Sequence, residues 1–196
     1  MYALNGVRWV VALGCAAALT ACSPRGPQEG EWYSPWDLDG GCLSPMPGLQ
    51  RVDARGDAAD FCASVQPDRW IWVVYGAPWC SSSLNQTGRM APFEQRGGDR
   101  VRVYAVLTSG PEPLTVPQLR DARAWVSQTG LPVQQVLFDP HESDPRTVPQ
   151  HLLIGPDGRT WWRWVGALSV DDMLARLDAF DSGQLGLQAR PLPALR

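Results

Sequence analysis

Hydrophobic and polar positions change period along the chain, and each period predicts an element. Trp70 to Tyr75 is apolar, β-branched or aromatic without interruption, which predicts a central strand buried on both faces. Val101–Thr108 and Val133–Asp139 have the same character and predict two further strands. Gln150–Ile154, the run Gly155-Pro156-Asp157-Gly158 and Thr160–Val165 predict a strand, a tight turn and an antiparallel partner. Strict alternation in that partner assigns Trp162 and Trp164 to one face and Trp161 with Arg163 to the other. Gly48–Asp53 predicts a short edge strand.

Helical spacing appears in four segments. Apolar residues at 58, 59, 61, 62 and 65 predict a helix over Asp57–Val65 that buries Cys62. Ser81–Gln95 predicts a second, with Leu84 and Met90 inward and a kink at Pro92. Val116–Thr129 predicts a third, with Leu119, Ala122, Trp125 and Val126 inward and Gly130 as its stop. Val170, Met173, Leu174, Leu177 and Phe180 form the stripe of the last helix, with Ser169 as N-cap and Asp172 three residues on. Strands that alternate with helices and end in a hairpin imply an α/β fold, a mixed sheet with helices on both faces. One domain over 48–181 accounts for these elements. Before it, 22–47 carries Pro24, Pro27, Pro35, Pro45 and Pro47 with no apolar period, and reads as a tether and entry loop. Trp32, Tyr33 and Trp36 within it are expected to dock on the domain surface. Residues 182–196 read as a loose tail.

The first 21 residues change the picture of where the chain resides. Arg8 is followed by an apolar run from Trp9 to Leu19, the layout of a secretory signal and shorter than the ~20 residues of a membrane span. Leu19-Thr20-Ala21-Cys22 resembles a bacterial lipoprotein box. That resemblance implies lipidation of Cys22, an N-terminal membrane anchor facing the periplasm and, with Ser23, sorting to the outer membrane. An ordinary cleaved signal and a short uncleaved anchor are the alternatives. Net charge is −3, all 17 basic residues are arginine, and no basic run occurs, which argues against nucleic acid as a partner. His141 and His151 have no metal-ligand spacing with a cysteine. His141 reads as a solvated loop residue and His151 as structural. Phosphate-loop, dinucleotide and serine-hydrolase patterns are absent from the sequence, so no cofactor or metal is expected.

Candidate chemistry centres on cysteine. Gly76, Ala77 and Pro78 end the central strand, and Cys80 stands where the next helix starts. Unpaired N–H groups and the positive end of the helix dipole favour a thiolate there. Cys42, Cys62 and Cys80 follow Cys22, and export permits disulfides. Cys42 with Cys62 is the simplest pair, closing about 20 residues for roughly 3 kcal/mol. Pairing of Cys80 with either one remains open.

Ala77-Pro78-Trp79-Cys80 resembles the approach to the C-x-x-C motif of the thioredoxin superfamily, with Ser83 in the place of the second cysteine. The resemblance extends to Pro92, to Thr147-Val148-Pro149 in the place of the family's cis-proline loop, and to Gly166-Ala167-Leu168-Ser169 before the last helix. It covers residues 48–181. One extra strand before the proline loop makes it similar to membrane-tethered periplasmic thiol-disulfide oxidoreductases. The family's buried acid in the central strand is replaced here by Val74. The resemblance implies that Cys80 attacks disulfides, that Ser83 donates a hydrogen bond to its thiolate, and that Trp79, Thr147, Val148 and Pro149 receive an extended substrate. Its partners would be protein thiols or disulfides of the cell envelope. Without a resolving thiol the expected activity is that of a monothiol oxidoreductase or isomerase. Two other readings are a non-catalytic binding or assembly module and a dithiol enzyme with Cys42 or Cys62 as a displaced resolving cysteine.

Overall fold

The structure, a computed structural model, describes residues 41–43 and 51–183. The signal segment 1–21, Cys22, Trp32, Tyr33, Trp36 and the tail from 184 lie outside the described residues. Six strands, β1 (Val52–Asp53), β2 (Trp70–Gly76), β3 (Val101–Leu107), β4 (Val136–Phe138), β5 (Gln150–Ile154) and β6 (Thr160–Val165), form one sheet in the order β1-β4-β3-β2-β5-β6. β2, β3 and β4 are parallel, while β5 runs antiparallel to β2, β6 to β5 and β1 to β4. The helices are α1 (Ser81–Gly97), α2 (Leu119–Thr129) and α3 (Val170–Asp181). No helix among the described residues is long and apolar enough to cross a membrane.

All seven residues of β2 are buried, as an uninterrupted apolar run requires. The two faces are covered differently. Trp70, Trp72, Val74, Val103 and Leu153 share one core with Met90 and Phe93 of α1, Trp125 of α2, and Met173 and Leu177 of α3. Ile71, Val73, Tyr75, Val106 and Leu152 share the other with Phe61 and Val148, and with half-buried Cys42, Ala59, Cys62 and Val65. The three helices therefore pack on one face, and the expectation of helices on both is corrected. The path β2–α1–β3–α2–β4 always steps the same way across the sheet, and right-handed crossovers then place both helices on one side.

The segment at 57–65 lies on the helix-free face and is not an α-helix. Ala58 bridges to Val52, and only Phe61–Ser64 coils, as a 3₁₀ turn whose Asp60 carboxylate accepts from the Cys62 N–H at 2.8 Å. Phe61 is buried there and Cys62 half-buried. A single short turn meets the nucleation cost of a helix with too few propagating bonds to recover it, so the local Asp60 cap decides.

Three further expectations shift. α1 buries Ser83, Gln86, Thr87, Met90, Phe93 and Gly97, leaving Leu84 42% exposed. Its inner face tolerates polar groups because they are used: Gln86 Oε1 accepts the Leu168 N–H at 2.8 Å. In β6, the register jumps from Ile154↔Thr160 to Leu153↔Trp162. The bulge puts Trp161 on the same side as Trp162 rather than with Arg163: Trp161 meets Trp70 at 5.4 Å and Trp162 meets Trp72 at 5.4 Å. α2 begins at Leu119, and Val133–Gln135 forms a 3₁₀ turn that shortens β4. The C-terminal signals appear as expected. Ser169 and Asp172 form a reciprocal capping box, and Gly130 closes α2 at φ 68°.

Cys42 and Cys62 form a disulfide with Cα atoms 5.4 Å apart. The Cys42 N–H also donates to Gly158 O at 2.8 Å, tying this corner to the β5–β6 turn. Gly41, at φ 54°, is required beside it, since a Cβ would come within 2.8 Å of the Gly158 oxygen. Replacing both Cys42 and Cys62 by Ser is expected to lower unfolding free energy by about 3 kcal/mol, measured by urea denaturation. Unchanged stability would remove the staple role.

Candidate active site

β2 ends at Gly76, where a Cβ would lie 2.9 Å from the Trp125 ring and 3.5 Å from Ser83 Cβ. Glycine lets α1 and α2 close over the end of the strand. The chain turns through Ala77, whose carbonyl accepts the Cys80 N–H at 3.1 Å, and Cys80 becomes the N-cap of α1 at φ −96°, ψ 113°. Across from it the Val148–Pro149 peptide bond is cis. The Val148 carbonyl oxygen lies 3.4 Å from Cys80 Sγ, and Pro149 O accepts the Gly166 N–H at 2.8 Å, fixing the loop against the end of β6. Trp79 is half-buried and its indole N–H donates to Ser109 Oγ at 2.7 Å. Thr147, Val148 and Pro149 are buried. The sheet thus brings Trp79, Cys80 and the proline loop to the carboxyl end of β2.

Two expectations about this site change. Ser83 is buried and its hydroxyl has no hydrogen-bond partner, so the bond expected to Cys80 is not formed. The side chain turns instead toward Gly76 and the α1–α2 contact. Cys80 has no exposed surface. It is itself disulfide-bonded, and since Cys42 and Cys62 bond to each other, neither of these is its partner. A displaced resolving role for Cys42 or Cys62 does not fit this pairing.

The same fold occurs in solved structures. A Chlorobium tepidum protein assigned as the thiol:disulfide interchange protein DsbE superposes with a TM-score of 0.53 at 18% identity, over 74% of this chain and 98% of that one. A DsbF homologue from Corynebacterium diphtheriae superposes with a TM-score of 0.51 at 11% identity, over 85% and 96%. The fold is thioredoxin-like. No family model and no curated protein matches the sequence.

Two residues shape this site beyond those the sequence singled out for chemistry. Arg146 is buried with its guanidinium 3.7 Å from the Tyr75 ring centroid. It donates to Asp144 Oδ2 at 2.7 Å and to Gln150 Oε1 at 2.6 Å. It braces the segment before the cis-proline against β2, and an arginine in a polar loop gave no signal of this. His151 sits directly across from Val74 in the β2–β5 ladder. It is fully buried, and its Nδ1 accepts the Trp72 indole N–H at 3.0 Å, the structural role expected. His141 is exposed, its N–H held by Asp139 Oδ1 at 2.8 Å.

Burial lowers the His151 pKa from 6.5 to about 3, despite the opposing backbone hydrogen bond at Gly166. Protonation therefore favours the unfolded chain. The contribution of a neutral His151 is intact above pH 6.5 and erodes as pH falls toward 3, by up to about 1.4 kcal/mol per pH unit. His151→Gln, which keeps an acceptor for Trp72, is expected to flatten stability against pH between 6.5 and 4. Urea midpoints across that window check it, and an unchanged slope would refute it.

Proposed function

We propose that this chain is a thioredoxin-like thiol-disulfide oxidoreductase or isomerase of the bacterial cell envelope, working through Cys80 as the single exchanging cysteine of a C-x-x-S motif. The observation that carries the reading is the placement of Cys80 at the N-cap of α1 with its sulfur 3.4 Å from the carbonyl before cis-Pro149. That carbonyl belongs to the buried segment that leads through Pro149 into β5. The two structural neighbours, assigned as DsbE and a DsbF homologue, support the same class.

In the reduced state the Cys80 thiolate attacks one sulfur of a target disulfide. The target S–S bond breaks, its second sulfur leaves as thiolate, and Cys80 is joined to the target. Ser83 cannot release that bond, because a hydroxyl does not displace a thiolate from sulfur. A second thiolate must do so, and Cys80 is regenerated. If it is the target's own freed cysteine, or another in the same target, no electrons are gained and the disulfide is re-formed or isomerised. If small thiols supply it, two are oxidised to one disulfide and the target disulfide is reduced.

Lipidation at Cys22 would hold the domain on the membrane, at the outer membrane by the Ser23 criterion, and support for this rests on the signal pattern. Full burial of Cys80 and the unbonded Ser83 hydroxyl favour a second reading, a non-catalytic binding module of the envelope. Exchange with a disulfide-linked peptide decides between them. Cys80→Ser is expected to lower the rate at least about 100-fold relative to the reduced native chain. Equal rates, with cellular function kept by the variant, would establish the binding module. Separately, palmitate label is expected in the native chain and not in Cys22→Ser, which should move to the soluble fraction. Label retained by the variant would overturn lipidation at Cys22.

A further inference from the structure

The edge of the sheet beside α3 carries more aromatic surface than its neighbours cover. Trp162 and Trp164 stand on edge strand β6, with rings parallel within 14° and centroids 6.1 Å apart. Both are only half-buried. The other wall is α3, which presents Ala175 and Ala179 one turn apart, with Leu168 beside them. Large rings facing alanines leave a groove of about 490 Å³. The Trp164 indole N–H is buried and has no hydrogen-bond partner, a state that costs about 1–3 kcal/mol.

The charges at the rim cancel. Arg176 lies 5.0 Å over the Trp162 ring, and Asp172 accepts from Ser169 Oγ at 2.6 Å. Apolar contact and a hydrogen-bond acceptor therefore select the occupant, and net charge does not. Stacked tryptophans with an unsatisfied indole donor suit an extended segment that contains proline. Its rings pack on indoles, and its carbonyls are not used within the segment.

The sequence supplies such a segment next to the groove. Gly183 follows α3 at φ 69°, and its N–H donates to Phe180 O at 3.0 Å, the left-handed close that turns a chain off the helix axis. Ala179, a groove residue, stands one turn earlier. Beyond Gly183 come Leu185, Leu187, Pro191, Leu192, Pro193 and Leu195, no acidic residue, and arginine at 190 and 196 alone. That composition is too apolar for a stretch kept in water by its charge. The eight steps from Gly183 to Pro191 reach roughly 26 Å when extended. The α3 wall from Asp172 to Ala179 rises only about 10 Å, so the segment can reach every part of it.

We propose that Pro191-Leu192-Pro193-Ala194-Leu195 packs in this groove of its own chain, with a backbone carbonyl accepting the Trp164 N–H. Residues 184–196 are then a latch over the apolar flank of β6 rather than a loose tail. The latch removes an edge strand and an aromatic patch from the reach of other chains. No step at Cys80 enters the proposal, so it is independent of the exchange reading.

Nuclear magnetic resonance on the full chain tests it. Backbone order parameters at Leu192 and Ala194 are expected to approach the value of about 0.85 typical of rigid elements. Cross-relaxation is expected between their side chains and the Trp162 and Trp164 rings. Leu192→Ser, which lies outside the packed elements, should drop the order parameters of 191–195 below about 0.6. Trp164→Phe, which keeps a ring and removes the N–H, should loosen the same residues. Values below about 0.6 throughout 185–195 of the native chain, no contact with either ring, or order unchanged by either variant would overturn the proposal. So would contacts seen only between differently labelled copies, which would make a second chain the occupant. A free Pro-Leu-Pro-Ala-Leu peptide that moves the Trp164 indole signal equally in the native chain and in Leu192→Ser would overturn it too, by showing the groove open to other chains.

Discussion

Strand β2 has water on neither face, and the rest of the domain is built to satisfy that condition. Trp70, Trp72 and Val74 point to the helices, while Ile71, Val73 and Tyr75 point to the opposite side. Removing so much apolar and aromatic surface from water is the dominant favourable term available to the chain. Hydrogen bonding confines the strand as well, since β3 pairs along one edge and β5 along the other. A strand held in this way cannot slip by a residue without turning both sets of side chains over. The position of Gly76, and with it the point where Cys80 begins α1, is therefore fixed by burial several residues earlier.

The candidate site lies where this rigid layer gives way to loops. The carboxyl ends of β2, β3 and β4 feed Cys80, the Ser109–Pro117 segment and the approach to Pro149. They are tied together by Trp79 to Ser109, Thr108 to Asp144, and Arg146 to Tyr75. Open α/β sheets place ligand-binding loops at this end because the connections there are free to vary while the strands are not. The amino ends carry no comparable cluster of interlocked loops among the described residues.

Beneath the site, the polar groups are arranged for neutrality. Val74 and His151 face each other in the ladder, and burial keeps the imidazole uncharged with Trp72 bonded to its Nδ1. The buried Ser83 hydroxyl has no hydrogen-bond partner. The helix-free face is held instead by the Cys42–Cys62 disulfide and by arginine stacking on Tyr75, covalent and cation–π contacts that do not require a helix.

Local signals carried much of this structure. The apolar run at Trp70, the capping box of Ser169 and Asp172, the turn at Gly155–Gly158, the stop at Gly130 and the Cys42–Cys62 pairing each depend on a few neighbouring residues or on a short loop. Such features can be read without knowing what packs against them. The face of α1 could not, because Leu84 is turned out and Gln86 in by the Leu168 amide that Gln86 bonds, a partner 82 positions away. Nor could the side of Trp161, which a bulge against β5 decides, or the helix-free second face, which follows from the direction of successive crossovers. The reach of Cys80 belongs with these. Its residue type and position were plain in the sequence, but burial is a property of everything that surrounds a sulfur atom, and that is assembled only when distant segments meet.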